Sequence, residues 1–294
     1  MRALLLAAAL GLSASSGCFI SAYAMQTPTP AATSSPYSYA DVADLATIAP
    51  MAIHARIFRA TVLKAERAPG LKAGQARFYV EADVVSLIRG SGPLAARISY
   101  LVDLPRDARG KPVKLRKKQP VLIFARPVAG VAPGAKNTGS VQLVAPDAQL
   151  PWDPATEAQL RAILTELVKP GAPPAITGVA NGFHVPGTLP GEGETQLFLD
   201  TTTGEPVSLS ILTAPDGSRR WAAAFGEIVD GSAAVPARDT LAWYRLACGL
   251  PHQLPLSKLA GTAPEDRKKA AADYAVVLGA LGECTRTRTP PAAN

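Results

Sequence analysis

Apolar and polar residues alternate in a series of runs between about Ala40 and Ala145, and this two-residue period predicts strands. "MAIHARIFRATVLKA" is apolar and β-branched and stops at a Pro69-Gly70 turn. "ARFYVEADVVSLIRG" places Phe78, Val80, Ala82 and Val84 on one face, and "RISYLVDLP" repeats the pattern with Ile98, Tyr100, Val102 and Leu104. "QPVLIFARPV" is apolar on both faces, which suits an interior strand. "SVQLVAP" is a fifth, shorter candidate. Five strands with Gly-rich breaks predict a small closed or partly closed barrel.

The period then changes to that of a helix. In "PWDPATEAQLRAILTELVKPG", Asp153 is an N-cap, Pro154 takes the first helical position and Pro170-Gly171 stops the run. Leu160, Ile163, Leu164 and Leu167 share one stripe, so this helix should pack across the barrel or against the next domain. Alternation returns at Leu197 and Leu199, at Val207, Leu209 and Ile211, and at Trp221, Ala223 and Phe225, with a Pro-Asp-Gly-Ser turn at 215–218. These three runs predict an antiparallel meander. "RDTLAWYRLACGL" and "GTAPEDRKKAAADYAVVLGALGEC" then predict two helices, the second with Thr262 and Glu265 in capping-box register.

The expected class is therefore α+β, mainly β: an N-terminal β-barrel, a helix, a β-meander and a C-terminal helical hairpin. Its segments are a leader 1–24, a flexible linker 25–39, a barrel-like domain with closing helix 40–170, the meander 171–234, a helical region 235–284 and a disordered tail 285–294.

The leader has the layout of a secretory signal: Arg2, an apolar run from Ala3 to Leu12, then small residues up to Ala22-Tyr23-Ala24 before Met25. The expectation is cleavage near Ala24 and a periplasmic or secreted protein with no transmembrane helix in the mature chain. The alternative is a lipoprotein anchored through Cys18, since "SSGC" resembles a bacterial lipoprotein signal, although Ser15 stands where those signals carry an aliphatic residue. The chain has three cysteines, so the mature protein keeps only Cys248 and Cys284, which an oxidising compartment would pair. With no C-x-x-C and no Cys/His cluster, neither a zinc site nor a thioredoxin-like site is implied.

Candidate chemistry is sparse. Asp200 follows an apolar strand, but three threonines separate it from Gly204, whereas an aspartic-protease loop has its glycine two residues after the aspartate and needs a second carboxylate. "TTTGE" reads as a hairpin turn. No G-x-S-x-G, H-E-x-x-H or P-loop occurs, and no cofactor is implied. Of the three histidines, His54 lies in an apolar strand and reads as a core or rim residue, whereas His184 and His252 lie in Pro/Gly-rich loops. A hydrolase site remains open as the alternative function if scattered residues such as His184, Asp200, Asp230 and His252 converge in one pocket.

One charged feature stands out. "RDARGKPVKLRKKQP" carries Arg106, Arg109, Lys111, Lys114, Arg116, Lys117 and Lys118 against Asp107 alone, between two β runs. The mature chain, with 29 − 23 = +6 after loss of Arg2, is moderately basic. Arg109, Lys111, Lys114, Arg116, Lys117 and Lys118 form a candidate loop for an anionic envelope surface, weighed against a merely solvated loop. Nucleic acid is disfavoured because aromatic residues are not interleaved for base stacking.

The runs "IFRATVLKA", "FYVEADVVSLIRG" and "KKQPVLIFARP" in residues 49–144 resemble the small exported barrels of OB or netrin-like type. The resemblance covers about a third of the chain, and the N-terminal cysteines of the netrin-like group are absent, so no residue role carries over. The remainder resembles exported proteins of Gram-negative bacteria without a known activity. A non-catalytic exported binding module, for an anionic envelope component or a protein, is the expected function.

Overall fold

Strands of antiparallel sheet dominate, joined by helices whose ends are fixed by the residues that flank them. The structure, a computed structural model, describes residues 35–128, 139–226, 233–259 and 263–288. The leader, most of the linker, Asp230, Thr262 and residues 289–294 lie outside this set.

A helix that the alternation pattern did not anticipate comes first. Helix α1 spans Tyr39–Ile48, opened by a capping box in which the Ser38 hydroxyl accepts the Asp41 N–H and the Asp41 carboxylate accepts the Ser38 N–H. Satisfying donors at both ends of the first turn is what lets so short a segment nucleate.

The first sheet comes next. Strands β1 (Met51–Val62), β2 (Gln75–Arg89), β3 (Arg97–Pro105), β4 (Pro120–Pro127), β5 (Val141–Leu143) and β6 (Gln149–Pro151) pair antiparallel in the order β3-β2-β1-β4-β5, with β6 also on β4. The predicted alternation is realised: Phe78, Val80 and Ala82 of β2 and Ile98, Tyr100 and Val102 of β3 are buried, and their neighbours are partly or fully exposed except Asp103, which is buried against Arg77. Val121 to Ala125 of β4 are all buried, as an interior strand covered on both faces requires.

The expected barrel closure is not realised as a ladder. β5 is three residues long and shares the outer edge of β4 with β6, so it offers too little strand to pair with nine-residue β3. Among the described residues β3 meets the chain flanking β5 only at its two ends, at the parallel Ser99–Ser140 bridge and where the Asp103 N–H donates to the Pro146 carbonyl.

Helix α2 (Pro154–Leu167) has Asp153 as N-cap, accepting the Thr156 N–H, and buries Leu160, Ile163 and Leu164. The second sheet has one strand more than predicted, in the order β10-β9-β8-β7: β7 (Ile176–Pro186), β8 (Gly193–Thr201), β9 (Val207–Thr213) and β10 (Arg219–Phe225). Helices α3 (Leu241–Gly249) and α4 (Pro264–Leu281) lie against β7, and α4 also meets β8 and β10. The α4 N-cap is Ala263, which makes no side-chain hydrogen bond. One hydrophobic cluster runs from Tyr39 to Leu281, so the segments read as successive units share a core. No helix among the described residues is long and apolar enough to cross a membrane.

At the end of the chain, Cys248 of α3 and Cys284 just after α4 stand at disulfide distance, with Cα atoms 5.2 Å apart. Thr285 to Arg288 were expected in the tail. Instead they run back across α1, where Asp41 accepts the N–H groups of Thr287 and Arg288.

Candidate functional site

The basic segment is the connection between β3 and β4, and short local rules fix its backbone. Asp107 accepts the N–H groups of Arg109 and Lys111 through one carboxylate oxygen, at 2.9 and 2.8 Å, the Asx-turn chemistry that aspartate favours. The Arg106 N–H donates to the Gly74 carbonyl, which ties this segment to the β1–β2 connection. At the other end the Lys118 N–H donates to the Ile57 carbonyl at 2.7 Å, and Lys118 adopts a positive φ of 66° to reach it. Val113 and Leu115 pack against the core from within the loop.

The loop is therefore pinned at both ends and in the middle while its cations face outward. Arg109, Lys111, Lys114, Arg116, Lys117 and Lys118 are all exposed. Among the described residues none of the six forms a salt bridge. Lys117 lies 5.1 Å from the Phe58 ring, whose face is also covered by the Arg97 guanidinium at 3.5 Å. The tied β1–β2 connection adds exposed Lys64, Arg67 and Lys72.

Of the residues of the hydrolase alternative, the three that are described do not gather. His184 lies within β7, not in a loop, and pairs in register with Thr195. Asp200 sits on the same partner strand five residues further on, exposed on the opposite face, about 17 Å along at 3.4 Å per residue. His252 is exposed after α3, and Asp230 lies outside the described residues. The strand reading of β7 is masked in the sequence by Gly178, Asn181 and Gly182, which interrupt the alternation where the ladder itself has bulges.

His184 instead belongs to a buried polar chain that sequence spacing could not reveal. Its Nδ1 is 2.9 Å from the Thr195 hydroxyl, which donates to Asp273 of α4 at 2.5 Å. Since the threonine hydrogen goes to the carboxylate, the imidazole must donate through Nδ1–H, which fixes its tautomer. Asp273 also accepts Arg219 Nε at 2.6 Å and the Thr213 hydroxyl at 3.3 Å. Thr195 and Asp273 are 0 and 1 % exposed, so this network clips α4 onto the inner face of the second sheet. His184 Nε2 has no partner among the described residues and is closed off beneath Gly193.

His54 is buried, as a core histidine should be, and stacks on Trp152 with ring centres 4.6 Å apart. Its Nδ1 approaches Glu157 at 3.3 Å, and burial holds its pKa below the ordinary histidine value despite that carboxylate. Glu157 also accepts Trp152 Nε1 and Arg161, so the group serves to fix α2 on β1. Among the described residues no three His, Cys, Asp or Glu side chains converge in metal-binding geometry.

No protein-family model matches the chain, and no curated protein matches it.

Proposed function

We propose that this is a non-catalytic exported binding module with an OB-like first sheet, whose β3–β4 loop engages an anionic envelope surface. The observation that carries the reading is the loop itself: six exposed cations, none in a salt bridge among the described residues, on a backbone that hydrogen bonds and two partly buried side chains hold in place. A pinned loop loses little entropy on binding, so its charges act at close to full value. The OB-like reading is supported by the strand order β3-β2-β1-β4-β5 and by the parallel Ser99–Ser140 bridge between its edges. Export is supported by the leader and by a cysteine pair set at disulfide distance. The mature chain should begin near Met25 without a lipid on Cys18, which intact mass measures directly.

Binding to vesicles containing anionic lipid should be strong at low ionic strength. It should weaken as salt screens exposed charges over about 8–10 Å. Each cation near such a surface contributes about 1 kcal/mol. Replacing Lys114, Arg116, Lys117 and Lys118 together with Gln should therefore lower affinity by roughly two to three orders of magnitude. The circular-dichroism spectrum should not change. Equal co-sedimentation by the quadruple variant would leave the loop as ordinary solvated surface.

A further inference from the structure

The seam between β3 and β5 opens into a cleft of about 660 Å³, whose lining includes none of the basic loop's six cations. Its origin is a mismatch in chain length. The Ser99 N–H donates to the Gly139 carbonyl at 2.8 Å and the Asp103 N–H to the Pro146 carbonyl at 2.7 Å. Between these two clasps β3 spends 103 − 99 = 4 residues and the opposite chain 146 − 139 = 7, so the opposite chain must bow away. By strand alternation the N–H of Leu101, midway between the clasps, points to the same side as theirs.

The walls are apolar and unusually exposed for large side chains: Tyr79 at 39 %, Leu101 at 46 % and Val128 at 38 %. The polar groups are few and unequal. Arg77 and Asp103 form a two-pronged pair at 2.7 and 2.8 Å, with Arg77 also donating to the Pro69 carbonyl, so both charges are spent. Arg126 donates only Nε to Gln142, at 3.2 Å, leaving the rest of its guanidinium without a partner among the described residues. Among the described residues two cations and one carboxylate line the cleft, and together they leave one uncompensated positive charge on an apolar surface.

From this we infer a ligand site for an amphipathic monoanion: an apolar body laid on Tyr79, Leu101 and Val128, with its carboxylate or comparable acid held by Arg126 and the Leu101 N–H. Few convergent polar groups on apolar walls are the general form of a small-molecule site. The fork of a guanidinium is suited to an acid group. The site does not depend on the β3–β4 loop binding anything.

The test uses isotopically labelled mature protein and decanoate below its micelle-forming concentration, followed by amide chemical shifts. Decanoate should shift Leu101, Arg126 and Gln142 saturably. Acetate, which lacks the body, and decyltrimethylammonium, which reverses the charge, should not. Arg126→Gln should weaken decanoate about tenfold or more, the loss of one charge-assisted contact. Leu101→Asp, at a half-exposed position, should abolish it while the remaining spectrum shows a folded chain. The variant with Lys114, Arg116, Lys117 and Lys118 changed to Gln should bind decanoate as well as the parent, which separates this site from the loop. Shifts clustered outside the cleft, or equal shifts with the cationic amphiphile, would overturn the assignment. So would decanoate affinity unchanged in both Arg126→Gln and Leu101→Asp.

Discussion

The Asp41 carboxylate, in the first turn of α1, accepts the backbone N–H of Thr287 at 3.0 Å, 246 residues further along the chain. It also accepts the Arg288 N–H at 3.0 Å and the Thr287 hydroxyl, while Arg286 pairs with Asp44 and Arg288 with Asp147. Burial acts to raise the Asp41 pKa, but the hydrogen bonds from Thr287, Arg288 and Ser38 outweigh it and hold the carboxyl below its ordinary range. A lowered folded-state pKa means stability that is fully present above the unfolded value of about 3.9 and is lost as pH falls through the lower, folded one. Asp41→Ala should therefore cost about 3 kcal/mol near neutrality by urea unfolding, and this variant should lose less stability than the parent on acidification. Trypsin should also cut after Arg286 and Arg288 faster, because the strap has lost its anchor.

The cysteine pair stands immediately before that strap, so covalent and hydrogen-bonded anchoring of the C-terminus are adjacent. A cross-link between residues 36 apart constrains the unfolded chain by about 3–4 kcal/mol in the loop-entropy account. Replacing both Cys248 and Cys284 with Ala should lower the melting temperature by about 6–15 °C for a chain of this size. Peptide mapping without reductant should recover a Cys248–Cys284 linked pair from the parent. Two alkylatable thiols in protein taken from an oxidising compartment would refute the pairing.

Where the sequence was readable, one regular period met one covered face. The runs around Phe78, Tyr100 and Ile123 became β2, β3 and β4 because each buries the side that the alternation marked. Helix α2 was readable for the same reason, with its cap at Asp153 and its stripe at Leu160, Ile163 and Leu164. Helix α1 carried a signal that alternation hides: Ser38 and Asp41 have the spacing of a capping box ahead of an apolar run. Strand β7 was obscured by its glycines, whose places make sense only once Leu197 and the Gln196 carbonyl are seen pressed against Gly182. The basic loop was visible as charge, but its rigidity depends on contacts with Gly74 and Ile57 that lie far away in sequence. Nothing in spacing relates His184, Thr195 and Asp273, because α4 delivers the last of them from 78 residues beyond Thr195.

Asp273 is the joint between α4 and the second sheet, and it holds one charged and two neutral donors. Removing it strands the Arg219 charge and the Thr195 hydroxyl together. Breaking a buried pair from one side costs about 3–5 kcal/mol, and the Arg219 side chain, 32 % exposed, places this one near the lower end. Asp273→Ala should therefore lower unfolding free energy by about 3 kcal/mol. Changing Arg219→Gln alone leaves the carboxylate, only 1 % exposed, without its salt-bridged cation, so it should cost a comparable amount even though Thr195 and Thr213 still donate to it. Chemical denaturation of the two variants checks this, and a clearly smaller loss for Arg219→Gln would mean that the threonine hydroxyls suffice to hold the buried carboxylate.

The imidazole of His184 occupies the space that a side chain at residue 193 would need. A Cβ built on Gly193 would stand 2.7 Å from His184 Cε1 and 2.8 Å from Nε2, with the Val185 carbonyl at 3.3 Å. The ring cannot swing aside, because Nδ1 is held by Thr195 and its side chain is only 3 % exposed. Gly193 is thus required by packing, not by backbone torsion. Gly193→Ala should cost about 1–3 kcal/mol, the usual range for overfilling a close-packed interior. His184→Ala alone should also destabilise, by opening a cavity and leaving Thr195 without its donor. In the double variant the methyl group enters the vacated volume, so the combined loss should fall short of the sum of the single losses by about 1 kcal/mol or more. Strict additivity in that cycle would show that the two residues do not compete for the same space, and that His184 is held by Thr195 alone.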